Sequence, residues 1–477
     1  MKTKTLLITA TRLVALLFLF TSCERGSAPT DPLDSDAEII TFSLKRADGT
    51  AFTPAELIFS LRSDSILFTL PAGTDITRLI PDISIRGAKV LPASGTMQNF
   101  SAPIVYTVTA EDVSVHRYVV VVSVKKSNSM VYIGTSDNYF HAIDATSGAL
   151  LWQYRSEGSR FSLSSPTYYN GTIYVGAIDR NVYAFDPATG AIRWQHQLPE
   201  GIESDAVVAD GILYVGCNDD HLYALNAADG SMLWKFRTGA NISSSPVISE
   251  GKVYFGSSDG NLYALQARTG IELWHFRTNA MINQSGACLV NGLLYFGSRD
   301  AHLYAVEAAT GTLKWKYAVP NGVSLEQSSP TVANGVVYMA GWYNIADFSQ
   351  KGSVFALNAL TGALVWESLT NTGFSSSPCI DNGKLFISGD DMNFYALNAL
   401  DGSTIWRQQI LPNGASAAVA DGTVFVGGGG TSHIYAFDAA NGSEKWRFHT
   451  RGLSTSDPLV LNENGIAVHA GPSGALQ

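Results

Sequence analysis

One spacing constrains this chain more than any other feature. Alanine, five residues, glycine, three residues and tryptophan recur eight times. The first four copies are Ala142/Gly148/Trp152, Ala184/Gly190/Trp194, Ala224/Gly230/Trp234 and Ala264/Gly270/Trp274. The last four are Ala305/Gly311/Trp315, Ala356/Gly362/Trp366, Ala396/Gly402/Trp406 and Ala436/Gly442/Trp446. Successive tryptophans are 42, 40, 40, 41, 51, 40 and 40 residues apart. Self-similarity at such a period marks a repeat architecture in which each unit buries its face against the next.

Each unit reads as four short strands. In residues 244–278, "SSPVIS", "KVYFGS", "NLYALQA" and "IELWHFRT" are separated by Glu250-Gly251, Asp259-Gly260 and Thr269-Gly270. The first of these turns recurs as Asn170-Gly171, Asp210-Gly211, Asn291-Gly292, Asn334-Gly335, Asn382-Gly383, Asp421-Gly422 and Asn464-Gly465. Asn-Gly and Asp-Gly between alternating strands signal tight hairpins, because both turn residues need positive φ. Four-stranded units of this length suit the blades of an all-β, eight-bladed β-propeller. The eight repeat tryptophans are expected to pack against neighbouring blades. The first unit, from Met130, lacks an innermost strand, and "TSDPLVL" after Trp446 supplies one. The terminal "GIAVHAGPSGALQ" then competes with Met130–Gly134 for a single place.

Upstream lie three further segments. Lys2, Lys4 and Arg12 precede an apolar run from Leu13 to Phe20, too short to span a bilayer comfortably, and Thr21-Ser22-Cys23 closes it. This resembles a lipoprotein signal over residues 1–22, which implies a lipid on Cys23, although Phe20 stands where a leucine is usual. Residues 23–37 read as a flexible tether. Residues 38–126 alternate with period two in Glu38 to Leu44, Ser65 to Leu70, Asp82 to Ile85, Val105 to Thr109 and Tyr118 to Val124. That pattern predicts a small β-sandwich, and it resembles the immunoglobulin-like modules of bacterial surface lipoproteins. The implied domain plan is signal, tether, sandwich, and a propeller over residues 130–477.

The repeat resembles the tryptophan-docking motif of quinoprotein-like propellers. That family includes quinoprotein alcohol and glucose dehydrogenases and the outer-membrane assembly lipoprotein BamB. The resemblance implies either pyrroloquinoline quinone with Ca²⁺ over the central funnel, or a ring without quinone. This chain has no adjacent cysteine pair and no long insertions in most units; Cys23, Cys217, Cys288 and Cys379 are far apart. Cys217, Cys288 and Cys379 lie in apolar strand patterns and are expected to be inert thiols. No cofactor and no catalytic or metal-binding residue is expected, with quinone and Ca²⁺ kept as the alternative. The formal charge is −10 without a basic cluster, which excludes nucleic acid as a partner.

Candidate contact residues fall in two groups. Connections from fourth to first strands should crowd one face of the ring. They bring Arg160, Glu203, Asp205, Asn283, Gln284, Glu326, Gln327 and Asp457 to the funnel mouth; the same residues also suit a solvated polar rim. The 51-residue step contains the insertion "GWYNIADFSQKG", with Trp342, Tyr343 and Phe348. Aromatic side chains on a loop held by a rigid scaffold are frequent binding anchors. Asp137, Asp179, Asp219, Asp259, Asp300 and Asp390 recur at the second-to-third turn and are assigned to turn chemistry. The functional expectation is a non-enzymatic propeller anchored to the outer membrane, on its periplasmic or surface face, binding a protein or peptide. The alternatives are a quinone-dependent oxidoreductase and a surface glycan-binding lipoprotein.

Overall fold

The computed structural model describes residues 36–52, 58–62, 64–70, 74–124, 129–158, 160–161, 163–284, 286–342, 352–369, 373–411, 414–428, 430–454, 456–462 and 467–469. Cys23, Tyr343 and Phe348 lie outside them. The described residues are all-β apart from a short 3₁₀ turn at Pro320–Gly322. The chain divides into two compact units, Met1–Ser127 and Asn128–Gln477.

In the first unit Glu38–Lys45 pairs with Ile80–Arg86. A second sheet runs in the order Ile58–Arg62, Ser65–Leu70, Val115–Val124, Ile104–Thr109, Lys89–Leu91. Period-two alternation sends Ile66, Phe68, Tyr106, Val108 and Val120 inward, where they meet Phe42 and Leu44 in one core. Each such side chain contributes roughly 1.5–3 kcal/mol on burial. The strands Ile58–Arg62 and Lys89–Leu91 were not among those expected from the sequence. Ser65–Leu70 runs parallel to Val115–Val124.

Among the described residues, the second unit forms seven four-stranded antiparallel sheets and one five-stranded sheet. The hairpin signal carries over directly. At the first turn Asn170 and Gly171 have φ of 46° and 79°, and Asp210/Gly211, Asn291/Gly292 and Asp421/Gly422 repeat the pair of positive values. The second and third strands of each sheet are almost wholly buried, whereas the fourth alternates between exposed and half-buried positions. Apolar side chains therefore concentrate between sheets, as in a β-propeller.

Tryptophan joins one sheet to the next. Trp152 Nε1 donates to the Pro187 carbonyl at 2.8 Å, Trp194 to Ala227 at 3.0 Å and Trp234 to Ala267 at 3.0 Å. Trp274, Trp315, Trp366 and Trp406 continue the series onto Ala308, Ala359, Ala399 and Ala439. Trp446 returns to the Ala145 carbonyl at 3.0 Å, so the ring is closed. Each indole lies on the third-turn glycine of the following sheet. A Cβ at Gly190 would stand 2.5 Å from Trp152 Cε3, and one at Gly311 would stand 2.7 Å from Trp274 Cε3. The motif alanine pairs across strands with the tryptophan of its own sheet, as Ala184 does with Trp194.

Both ends of this unit meet in the five-stranded sheet. Leu459–Leu461 pairs with Met130–Gly134 on one edge and with Ala467–His469 on the other. The competition expected for one place does not arise, because the two strands use opposite edges of the same partner.

Candidate functional site

The fourth-to-first connections converge on a cavity of about 510 Å³. Its floor is built from one residue position per sheet. In chain order the position holds Ser165, Asp205, Ser245, Gly286, Ser329, Ser377, Ser416 and Asp457. At this position the backbone N–H of one sheet donates to the side chain of the next. Ser165 donates to Asp205 Oδ1 at 2.5 Å, and Asp205 to Ser245 Oγ at 3.3 Å. Gly286, Ser329 and Ser377 donate to Ser329, Ser377 and Ser416 at 2.8, 2.9 and 3.0 Å. Ser416 donates to Asp457 Oδ1 at 2.6 Å, and Asp457 to Ser165 Oγ at 3.2 Å. Only the step from Ser245 to Gly286 has no side chain to accept. A bond of this kind contributes about 0.5–1.5 kcal/mol, and more when the acceptor is charged.

Above the floor stand Glu203, Ser243, Gln284, Gln327 and Ser375, and then Trp342 and Asp390. Trp342 holds a position of the repeat. Its amide donates to the Ser324 carbonyl at 3.1 Å, as Asn218 does to Gly201, Arg299 to Met281 and Asp390 to Gly373. The sequence reading placed it in an insertion; the repeat frame in fact runs through it. Gly373 lies close to both Trp342 and Asp390, where an added Cβ would collide with either. Burial raises the Asp390 carboxyl, opposed by its bonds from Ser375 and Trp342.

Asp390 also requires a correction. In five sheets a tyrosine of the third strand bonds the turn aspartate: Tyr183 OH to Asp179, Tyr223 to Asp219, Tyr263 to Asp259, Tyr304 to Asp300, and Tyr395 to Asp391. The turn residue is therefore Asp391, and Asp390 is released to the cavity wall. In the sheet that closes the ring His141 stands in the tyrosine's place. It is 3% exposed, and burial lowers its pKa to about 4. Its Nε2 lies 3.1 Å from Thr135 Oγ1, which in turn bonds Asp137.

Of the residues expected at the mouth, Glu203, Asp205, Gln284, Gln327 and Asp457 line the cavity, and Trp342, expected in the insertion, joins them. Arg160, Asn283 and Glu326 are not among its lining residues. Asn283 Oδ1 accepts from Ser243 Oγ at 2.5 Å. Glu326 is buried, with Arg299 Nε 3.8 Å away. The serines were missed, although their signal is present as "SSP" at residues 164–166, 244–246, 328–330 and 376–378.

The lining includes four carboxylates, Glu203, Asp205, Asp390 and Asp457, and among the described residues no lysine, arginine or histidine. Burial raises Asp205, and burial together with the nearby Asp205 raises Asp457 to about 7. The lining carboxylates carry the same charge as those of pyrroloquinoline quinone. Among the described residues no group of three or more His, Cys, Asp or Glu side chains forms a metal cluster. Burial keeps the thiols of the described cysteines in their protonated, unreactive form. Burial pushes Cys217 up to about 12, Cys288 to about 11 and Cys379 to about 12.

The family described as outer membrane protein assembly factor BamB matches residues 120–204, 178–350 and 350–474. A second family, described as SGBP, N-terminal, matches residues 39–122. Comparison with curated proteins finds no match. Among solved structures, BamB from Moraxella catarrhalis has a TM-score of 0.50 at 21% identity, covering 65% of this chain and 88% of that one. The computationally designed Ika8 protein has a TM-score of 0.54 at 16% identity, covering 67% and 96%. Quinohemoprotein alcohol dehydrogenase ADHIIG from Pseudomonas putida HK5 has a TM-score of 0.51 at 15% identity, covering 64% and 68%. At these identities the structural likenesses speak for the fold alone. The matches to the first family span most of the sequence: the chain belongs to the outer membrane protein assembly factor BamB family, built as a β-propeller of quinoprotein-like repeats.

Proposed function

We propose that the protein is an exported, lipid-anchored, non-enzymatic binding scaffold. An immunoglobulin-like sandwich at residues 38–126 carries an eight-bladed propeller, and a protein or peptide partner docks in the central cavity. The tryptophan bonds that run from sheet to sheet and return to the start support eight blades. The cavity carries the functional reading. Its polar side chains come from successive sheets and are held by a nearly continuous circle of hydrogen bonds, so they are organised before a ligand arrives. The acidic lining, with no lysine, arginine or histidine among the described residues, argues against the quinone alternative. A second reading, a glycan ligand, is favoured by the match of residues 39–122 to the SGBP N-terminal family, read as a surface glycan-binding protein module. It is also favoured by an indole beside hydroxyl, amide and carboxylate groups in the cavity wall.

The test is to plug the cavity. Gln284 lines it and is itself exposed, so Gln284→Trp should leave the urea unfolding midpoint unchanged. Partner recovery from detergent-solubilised membranes, or retention of surface polysaccharide in affinity electrophoresis, should fall at least tenfold, which is about 1.4 kcal/mol. Equal recovery by both proteins would move the binding surface away from the cavity.

A further inference from the structure

In the sheet that begins at Ala418–Ala420, the third strand His433–Asp438 pairs with the fourth strand Glu444–His449. The register sets His433 directly opposite His449. Their ring centres are 4.8 Å apart and the rings are tilted by 51°. His433 holds a position of the repeat. His221 and His302 occupy it in two other sheets, opposite Arg237 and Ala318, and Asn393 occupies it opposite Gln409. Among the described residues, only this sheet places two imidazoles across from each other.

We propose that His433 and His449 form a binding site for a divalent transition-metal ion of the zinc class. The His433 ring is fixed in the tautomer that a metal needs. Its Nδ1 lies 2.6 Å from the Thr431 carbonyl oxygen, which can only accept, so Nδ1 carries the proton and Nε2 offers its lone pair. Ligating histidines are held in this way, by an acceptor on the ring nitrogen that does not meet the metal. His433 Nε2 and both nitrogens of His449 have no hydrogen-bond partner among the described residues. His449 is exposed and His433 half-buried, so an ion can reach them. The spacing fits as well. Two imidazoles on one ion, with metal–nitrogen distances of about 2.0–2.1 Å and an angle of roughly 90–110°, place their ring centres about 4.5–5.2 Å apart. The observed 4.8 Å lies inside that range.

The surroundings leave the pair available. At His221 and His302 the turn aspartate lies 3.4 Å from Nδ1 and competes for the ring. In this sheet Thr431 takes the place of that aspartate and is bonded by Tyr435. Arg447, two residues before His449, is engaged elsewhere: its Nε donates to Glu444 Oε1 at 2.7 Å, and its guanidinium lies over the Tyr435 ring at 5.8 Å. Two imidazoles do not complete a coordination sphere, and water or a donor group of a bound partner fills the open positions. Neutral imidazole suits Zn²⁺, Ni²⁺ and Cu²⁺, whereas Mg²⁺ demands oxygen donors. Neither histidine lines the cavity, so the site stands independently of what the cavity binds.

Titration of the full chain with Zn²⁺, followed by calorimetry and by NMR of histidine-labelled protein, tests the site. Wild-type protein should take up Zn²⁺ with the ring resonances of His433 and His449 shifting together, and Mg²⁺ should move neither. His433→Asn and His449→Gln should each weaken this binding by about tenfold or more. The two substitutions reproduce the pair that the repeat already carries in Asn393 and Gln409, so the sheet should fold as before, which the urea midpoint checks. The converse change, Asn393→His together with Gln409→His, should add one further equivalent of Zn²⁺. Asn393 already donates its side-chain amide to the Asp391 carbonyl, so a histidine there would be held as His433 is. Zinc binding undiminished in either single variant, zinc shifting other histidines in place of these two, or no binding by wild type up to about 1 mM Zn²⁺ would overturn the site.

Discussion

At the scale of single residues, two side chains show how the repeat converts sequence into stability. Trp274 lies on Gly311 and bonds the Ala308 carbonyl of the next sheet. Trp274→Ala should therefore cost about 3–5 kcal/mol, as for a large aromatic truncated at an interface; a loss below about 1 kcal/mol in urea unfolding would contradict the packing role. His141 is the informative exception. It replaces a tyrosine that elsewhere donates to the turn aspartate, and burial holds it neutral with a pKa lowered to about 4. Because folding depresses this pKa, its contribution is present above about pH 6.5. It is lost as pH falls from there towards about 4, on the order of 3 kcal/mol in total. His141→Tyr should flatten the acid side of the stability curve between about pH 4.5 and 6.5. Parallel curves for the two proteins would sink the assignment. The two kinds of residue differ in legibility. The tryptophan spacing is periodic and visible in one dimension, whereas the lowered pKa of His141 depends on burial that no spacing reports.

At the scale of strands and turns, the Asn-Gly and Asp-Gly pairs foretold the hairpins, because only a tight turn demands two positive φ values in succession. The short strands Ile58–Arg62 and Lys89–Leu91 were not legible; five and three residues are too few to establish a period. Asp390 and Asp391 were confused because adjacent aspartates satisfy the same turn pattern, and only the bond from Tyr395 separates them. The hydrogen-bonded circle was illegible for a different reason. Its members lie about 40 residues apart, and "SSP" reads locally as a loop before a strand. The circle makes a prediction of its own. Ser245 faces Gly286, which has no side chain to accept its amide, so Gly286→Ser supplies the missing acceptor. It should stabilise the ring by about 0.5–1.5 kcal/mol. Crystal structures or amide exchange at Ser245 would check this, and unchanged or reduced stability would show that the gap is not a missing link.

At the scale of the whole molecule, the two ends of the propeller chain are joined by Trp446 on Ala145, by Asp457 on Ser165 and by the pairing of Leu459–Leu461 with Met130–Gly134. This closure surrounds a cavity whose polar lining draws on most of the sheets, so side chains from distant parts of the chain converge there. The sequence reading brought five of its lining residues to the funnel mouth and attributed Trp342 to a loop, because the insertion that follows Trp342 hides the repeat position it occupies. The central claim is that ligand enters this cavity. It is tested most directly by photo-crosslinking in living cells, with a benzophenone amino acid in place of Trp342 and, as control, of Leu233 on an exposed outer strand. Benzophenone captures C–H bonds of peptides and saccharides alike, so the experiment does not presuppose the ligand. The account predicts a discrete light-dependent adduct from position 342 and none from position 233; adducts from 233 alone, or equal adducts from both, would contradict it.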